Sequence, residues 1–331
     1  MKAFVHKGKK GLEGTRYRDM EETEPKQGEV KISLKTAGLN HRDLFVLERH
    51  KESDPPLIIG SDGAGVVESV GDGVTRVSPG DEVVINPSLG WMDRSEAPPE
   101  NFGIVGLPGH GTFAEKITLP EDNVELKPVH LKWEEAGVFS LAALTAYRAL
   151  FTRAQVNRGD TVLLPGVGSG AVTFLLLFAK AAGARVIVTS RSEEKRRKAI
   201  ELGADEAIDS EGDWNEALND EQADIVIETV GAATFDKSLN QLRKGGTLVT
   251  FGASAGDEIK LDLRSFFYGQ YNMLGSTMGS RDEYQDMLKF ISKNNIKPVM
   301  DTSYPLKDTR HALERLNEAK QLGKIALIIT N

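Results

Sequence analysis

The run Thr161-Val162-Leu163-Leu164-Pro165-Gly166-Val167-Gly168-Ser169-Gly170-Ala171-Val172 constrains the chain most, because a short apolar segment feeds a glycine turn that opens a strongly apolar helical stretch. A strand that becomes a helix within a few residues needs glycine where φ is positive or where other groups come close. Gly166 meets the first need and Gly168 the second, while Ala171 is small enough for the helix to pack on its strand. The free N–H groups of the first helical turn favour an anion. A second apolar segment at 185–189 follows at the right distance. The pattern predicts a dinucleotide pyrophosphate site built from Gly166, Val167, Gly168, Ser169, Gly170, Ala171 and Val172; a tight turn without a ligand is the alternative.

The end of the second strand selects the dinucleotide. A carboxylate there accepts from the ribose 2′-hydroxyl of NAD, whereas a 2′-phosphate needs that carboxylate absent and a cation nearby. Here Ser190 stands at the expected acidic position, Arg191 follows it, and Lys195 lies one turn into a helix that Ser192 can cap. These residues predict NADPH, against the alternative that Arg191 and Lys195 are solvated charges paired with Glu193 and Glu194.

A length of 331 residues suits two domains. The net charge of −8 argues against nucleic acid or an anionic membrane as a partner. No apolar stretch reaches membrane-spanning length, and Met1-Lys2-Ala3-Phe4-Val5-His6-Lys7 has no signal-peptide core, so a cytoplasmic enzyme of small molecules is expected. The absence of cysteine excludes a disulfide, a thiolate nucleophile and a Cys-ligated metal. The six histidines are scattered, with no pair at helical ligand spacing, which predicts hydrogen-bonded or surface residues.

Residues 1–124 show short β-type runs broken by glycine and proline turns, without long helical patterns, and read as a small antiparallel barrel-like domain. From about 131 helices and strands alternate: helix 133–151, the glycine turn and its helix, strand 185–190, helix 193–202, strand 224–228, helix 234–242, strand 247–251 and strand 273–277. That alternation predicts a parallel, doubly wound sheet of the Rossmann kind over 125–268. The remainder, 269–331, holds the edge strand of that sheet, a helix opened by Ser280 and Glu283 at capping-box spacing, a helix at 309–322 and a last strand at 324–330.

Several stretches in order resemble the medium-chain dehydrogenase/reductase superfamily: Gly38-Leu39-Asn40-His41-Arg42-Asp43, Gly60-Ser61-Asp62-Gly63-Ala64-Gly65, Pro79-Gly80-Asp81-Glu82-Val83, Gly111-Thr112-Phe113-Ala114-Glu115 and Ala143-Leu144-Thr145-Ala146-Tyr147. The resemblance implies a GroES-like, β-rich substrate domain that the C-terminal segment rejoins, and an α/β nucleotide domain. It also implies further cofactor contacts at Thr145, Val230, Phe251, Gly252, Ala253, Ser276, Thr277 and Met278, and substrate-pocket positions at Phe45, Trp91 and Phe113. A homodimer is implied as well, since an edge strand at 272–277 invites pairing across a two-fold axis.

Zinc-dependent members of that superfamily carry a cysteine where this chain has Asn40, a His-Glu pair at Ser61-Asp62, and a Cys or carboxylate near Leu141. An amide, a hydroxyl and an alkyl group do not make a three-ligand zinc site, so no metal is expected. The lobe at 87–108, which corresponds to the four-cysteine structural-zinc lobe of those enzymes, is expected to pack by hydrophobic contact and to be the most mobile segment. The resemblance is therefore to the zinc-free quinone oxidoreductase-like branch, with Asn40 donating to charge developing on the substrate oxygen and His41 a candidate proton donor. Asn40 also reads as a loop asparagine bonded to backbone, and Asp43 as an anchor of that loop. The alternatives are an alcohol or polyol dehydrogenase with an atypical metal site, and a non-catalytic NADPH-binding protein.

Overall fold

The computed structural model describes residues 1–329 and divides into two compact units, Thr145–Met278 and Met1–Leu144 joined by the chain from Gly279 onward. The boundaries therefore fall later than 124 and 268. Segments Trp133–Ala136 and Ser140–Tyr147 were expected to begin the nucleotide domain. Most of that stretch belongs instead to the first unit, where Gly137 and Val138 lie against the strand Glu29–Gly38 so closely that a Cβ on Gly38 would sit 2.5 Å from the Val138 Cα.

In the contiguous unit six parallel strands run in the order Glu206–Ile208, Arg185–Thr189, Thr161–Leu164, Ala223–Glu228, Leu242–Thr250 and Asn272–Gly275. This is the doubly wound order in which direction reverses beside the first strand. The helix Gly170–Ala182 buries Val172, Phe174, Leu175, Leu176, Phe178 and Ala179, with each large side chain contributing about 1.5–3 kcal/mol. Gly183, at φ +85, ends it in a left-handed turn.

The other unit is built on a seven-stranded sheet. Its main path is Val124–Leu126, Glu82–Ile85, Asp62–Val70, Glu29–Gly38, Lys324–Ile328 and Met300–Pro305, with Lys116–Pro120 also pairing Glu29–Gly38. The final strand was expected over 324–330; it spans Lys324–Ile328, and Thr330 lies outside the described residues. A helix not foreseen in this part, His41–Arg49, starts at Asn40. Lobe 87–108 is anchored at both backbone and side chain. Trp91, 1% exposed, stacks edge-on to Phe102 at 5.3 Å, its carbonyl accepts from Arg281 N–H at 2.8 Å, and Ser88 Oγ donates to the Gly279 carbonyl at 2.7 Å. Two of the scattered histidines meet in the fold: His6 and His50 are buried with their Nδ1 atoms 2.8 Å apart. Among the described residues no helix is long and apolar enough to cross a membrane.

Candidate active site

In the glycine turn, Gly166 has φ +76 and Gly168 φ +150. A Cβ on Gly166 would lie 2.6 Å from Val230 Cγ2, so a side chain at this position is strained by its φ and requires Val230 to shift. The turn is tied to the end of the second strand: Val167 N–H donates to the Thr189 carbonyl at 2.8 Å and Gly166 N–H to Thr189 Oγ1 at 3.3 Å. Ser169 caps the helix, accepting from Val172 N–H at 3.2 Å, which leaves other N–H groups of the first turn without intrahelical acceptors. Lys195 reaches back over the turn, its Nζ 3.0 Å from where a Gly168 Cβ would be. Ser190 is 7% exposed; its Oγ accepts from Ser192 N–H at 3.2 Å and its carbonyl accepts from Arg196 at 2.6 Å, while Arg191 is exposed. Positive charge and unfilled donors thus surround a cradle closed to side chains, and these residues fit a dinucleotide phosphate.

Glu228, missed in the sequence, organises the neighbouring loop. Fully buried, it accepts from Val230 N–H at 2.7 Å, Gly231 N–H at 3.0 Å, Thr234 Oγ1 at 2.9 Å and Ser238 Oγ at 2.5 Å, fixing the Val230 side chain over Gly166. Thr145 and Met278 are nearly buried, at 8% and 3%, Phe251, Gly252, Ser276 and Thr277 are half-buried, and Ala253 is exposed. They share the contiguous unit with the turn.

The second cluster is assembled by sheet register. Gly38 pairs with Asp62 on one side and with Ala326 on the other, so Asn40, Asp62 and Lys324 converge from three chain segments. Lys324 Nζ donates to Asn40 Oδ1 at 2.6 Å, to the Leu39 carbonyl at 2.7 Å and to Asp62 Oδ2 at 3.2 Å. Asn40 Nδ2 donates to the same Asp62 oxygen at 3.0 Å, and Leu141 N–H donates to Asp62 Oδ1 at 2.8 Å. That last bond sets the carboxylate at the start of the helix Ser140–Tyr147, where the helix dipole favours an anion. Burial pushes the Asp62 carboxyl above the usual range, opposed by Lys324 and Asn40. Asp43, also fully buried, accepts from Asn40 N–H at 2.8 Å; burial raises it to about 7, and its Oδ1 has no hydrogen-bond partner among the described residues.

Comparison with known proteins settles the lineage. A family model described as "Alcohol dehydrogenase GroES-like domain" matches residues 26–129, and one described as "Zinc-binding dehydrogenase" matches residues 166–293. The chain belongs to the medium-chain dehydrogenase/reductase superfamily. It is similar to the "Zinc-type alcohol dehydrogenase-like protein YogA" of Leptosphaeria maculans, 32% identical with 92% of each chain covered. It is also similar to the "Acryloyl-coenzyme A reductase" of Metallosphaera sedula, 30% identical with 99% of each covered. A solved "NAD-dependent alcohol dehydrogenase" superposes at a TM-score of 0.93 with 36% identity and complete coverage of both chains. The protein is thus an oxidoreductase of this superfamily, with a GroES-like domain and a Rossmann nicotinamide-dinucleotide domain.

Zinc, which the description of one matching family model names, does not fit the residues at these positions. At the three positions that the resemblance assigns to its ligands, Asn40 has its oxygen against an ammonium, Ser61 Oγ donates to the Val105 carbonyl at 2.8 Å, and Leu141 offers an alkyl group. A divalent cation there would face Lys324 across a buried, low-dielectric space, where like charges repel strongly. Among the described residues no group of three or more His, Asp or Glu side chains could hold a metal elsewhere.

Of the three expected pocket residues, Phe113 is fully buried against Gly60 and Trp91 is 1% exposed, edge-on to Phe102. Phe45 does present a surface, at 51% exposure, with the exposed His41 ring edge-on to it at 5.1 Å. Desolvation lowers the His41 pKa, which favours the neutral imidazole.

Lys324 is the other residue that sequence reasoning missed. One signal was available: a lysine opening the run Lys324-Ile325-Ala326-Leu327-Ile328-Ile329 starts a buried strand, and a buried ammonium demands a carboxylate.

Proposed function

We propose that this protein is an NADPH-dependent, zinc-independent reductase of quinones, enones and reactive carbonyl compounds. The observation that carries the reading is the Lys324–Asn40–Asp62 cluster, which puts an ammonium and an amide where relatives of the zinc branch hold a metal. When bound, the reduced nicotinamide supplies a hydride. Addition to a conjugated carbonyl develops negative charge on the distant oxygen, and Asn40 donates to that oxygen, as an oxyanion hole does. Alcohol oxidation would need a hydroxyl proton removed by a base or a Lewis acid, and the one carboxylate of the cluster, Asp62, already accepts at both oxygens from Asn40, Lys324 and Leu141. The 30% identical relative named for reduction of an acryloyl thioester fits the same chemistry. His41 and Phe45 are assigned to the substrate side.

Ser190, Arg191 and Lys195 carry the NADPH part of the reading: a phosphate would find cations and no competing carboxylate at the strand end. The solved relative named as NAD-dependent favours NADH instead, and direct binding of both cofactors separates the two. Thr145, Val230, Phe251, Gly252, Ala253, Ser276, Thr277 and Met278 are assigned to the rest of the cofactor. A homodimer is proposed from the outer edge of Asn272–Gly275. Among the described residues it pairs on one side only, and it lies in a stretch with exposed Leu263, Phe267, Tyr268 and Met273. Light scattering giving a monomer mass at micromolar concentration would refute it.

The test of function is a survey in metal-free buffer. NADPH oxidation by a simple quinone, methyl vinyl ketone and acrolein is expected to exceed NADP⁺ reduction by any simple alcohol. Robust alcohol oxidation without metal, or turnover only after zinc is added, would overturn the proposal.

A further inference from the structure

The three protons of the Lys324 ammonium are all used: Leu39 O, Asn40 Oδ1 and Asp62 Oδ2 accept them, and the residue is 3% exposed. Lys324 therefore has nothing left to give a substrate. Asn40 is in the opposite state. Its oxygen is taken by the ammonium and one Nδ2 proton by Asp62, while the second Nδ2 proton has no partner among the described residues. Reversing the amide would put its NH2 group against the ammonium and its oxygen against the carboxylate, so the two charges fix one orientation. An amide whose oxygen accepts from a cation is also a stronger donor through its nitrogen, since linked hydrogen bonds polarise one another. Asp62 would oppose this effect, but its other oxygen is held by Leu141 N–H at a helix start, which draws charge away from the shared side.

We propose that Lys324 is a positioning residue for the reduction: its ammonium locks and polarises the Asn40 amide so that the second Nδ2 proton is aimed at the substrate oxygen. The inference rests on the reductase reading above. In this arrangement a lysine delivers, through one amide, the positive field that a metal ion supplies at such oxygens in other enzymes. A purely structural role, in which Lys324 only neutralises buried Asp62, makes different predictions.

Lys324→Met alone would strand Asp62 without a counter-charge, so the informative variant combines Lys324→Met with Asp62→Asn and leaves a neutral cluster. The neutral variant is expected to bind NADPH within about twofold of the wild type. Its kcat with a quinone should fall tenfold or more while KM moves little, and Asn40→Ala in that background should cost at most about twofold further. Wild-type kcat in the neutral variant, or an undiminished Asn40→Ala loss there, would overturn the proposal. A second readout needs no turnover. The Asn40 Nδ2 proton held by Asp62, identified by its loss in Asn40→Ala, should exchange slowly with solvent in the folded wild type and at least about tenfold faster in the neutral variant. Free exchange in the wild type overturns the proposal even if the neutral variant does not fold. If the wild type reduces none of the acceptors while the bonded amide proton behaves as described, the reductase reading fails and only the locking of the Asn40 amide by Lys324 stands.

Discussion

The nucleotide turn and the Asn40–Asp62–Lys324 cluster hold their polar groups in opposite ways. Around Gly166 and Gly168 backbone donors are left open, glycine keeps side chains out of the turn, and the residues that shape it, Thr189, Lys195 and Val230, all belong to the one contiguous unit. Around Asn40 nearly every donor and acceptor is already matched within the protein, and the partners come from positions 22, 262 and 284 residues apart. The first site leaves donors open for a ligand; the second has nearly all of its groups matched by the fold. Binding and chemistry should therefore fail separately.

The sharpest way to break this contrast is Asn40→Ala. Turnover with a quinone is expected to fall between tenfold and a thousandfold with NADPH affinity unchanged, in line with the loss of one oxyanion donor. Stopped-flow turnover and fluorescence titration check the two halves, and a loss confined to affinity would erase the distinction.

The next effect is on stability. Burial raises the Asp43 carboxyl from 3.8 to about 7, so between those values the folded protein keeps a proton that the unfolded chain has released. Stability from this group is complete below the lower value and is lost as pH rises through the upper one. Asp43→Asn keeps a neutral acceptor for the Asn40 N–H, and relative to the wild type it should gain about 2–4 kcal/mol between pH 4.5 and 8 in urea unfolding. A pH-independent difference would show that Asp43 is ionised in the fold.

On the nucleotide side, Arg191→Ala should weaken NADPH roughly tenfold to a hundredfold and leave NADH nearly unaffected, since a charge-assisted bond to phosphate contributes about 1.5–3 kcal/mol. Equal losses for both cofactors would remove Arg191 from the phosphate site. The smallest change expected is for Gly166→Ala, about tenfold in affinity for both cofactors, because φ is +76 and Val230 must yield. Calorimetric titration reads both variants, and an alanine tolerated at position 166 would mean the turn is looser than its geometry indicates.

What could be read in the chain follows the same division. The turn, its helix, Ser190 and the alternation of strands and helices are written in neighbouring residues, so periodicity and glycine placement found them. The helix His41–Arg49 escaped because its nine residues include four charges and a histidine, and its N-cap Asn40 is also suited to a loop. Lys324 and Asp62 escaped because their meaning is a register: each is ordinary until Gly38 is seen pairing with both neighbouring strands. Trp91 and Phe113 were assigned to the pocket by likeness of position, and their burial, at 1% and 0% exposure, was not legible in the chain. His6 and His50 looked unrelated because 44 residues separate the two members of the pair.

The placement of Lys324–Ile328 between Glu29–Gly38 and Met300–Pro305 also sets a timetable for synthesis. A ribosome releases Asn40 and Asp62 long before Lys324, and the contiguous unit Thr145–Met278 is made in the interval. During that time Thr36–Gly38 presents an unpaired strand edge and Asp62 lacks its counter-ion. Nascent chains paused before position 324 should consequently be the ones that chaperones hold.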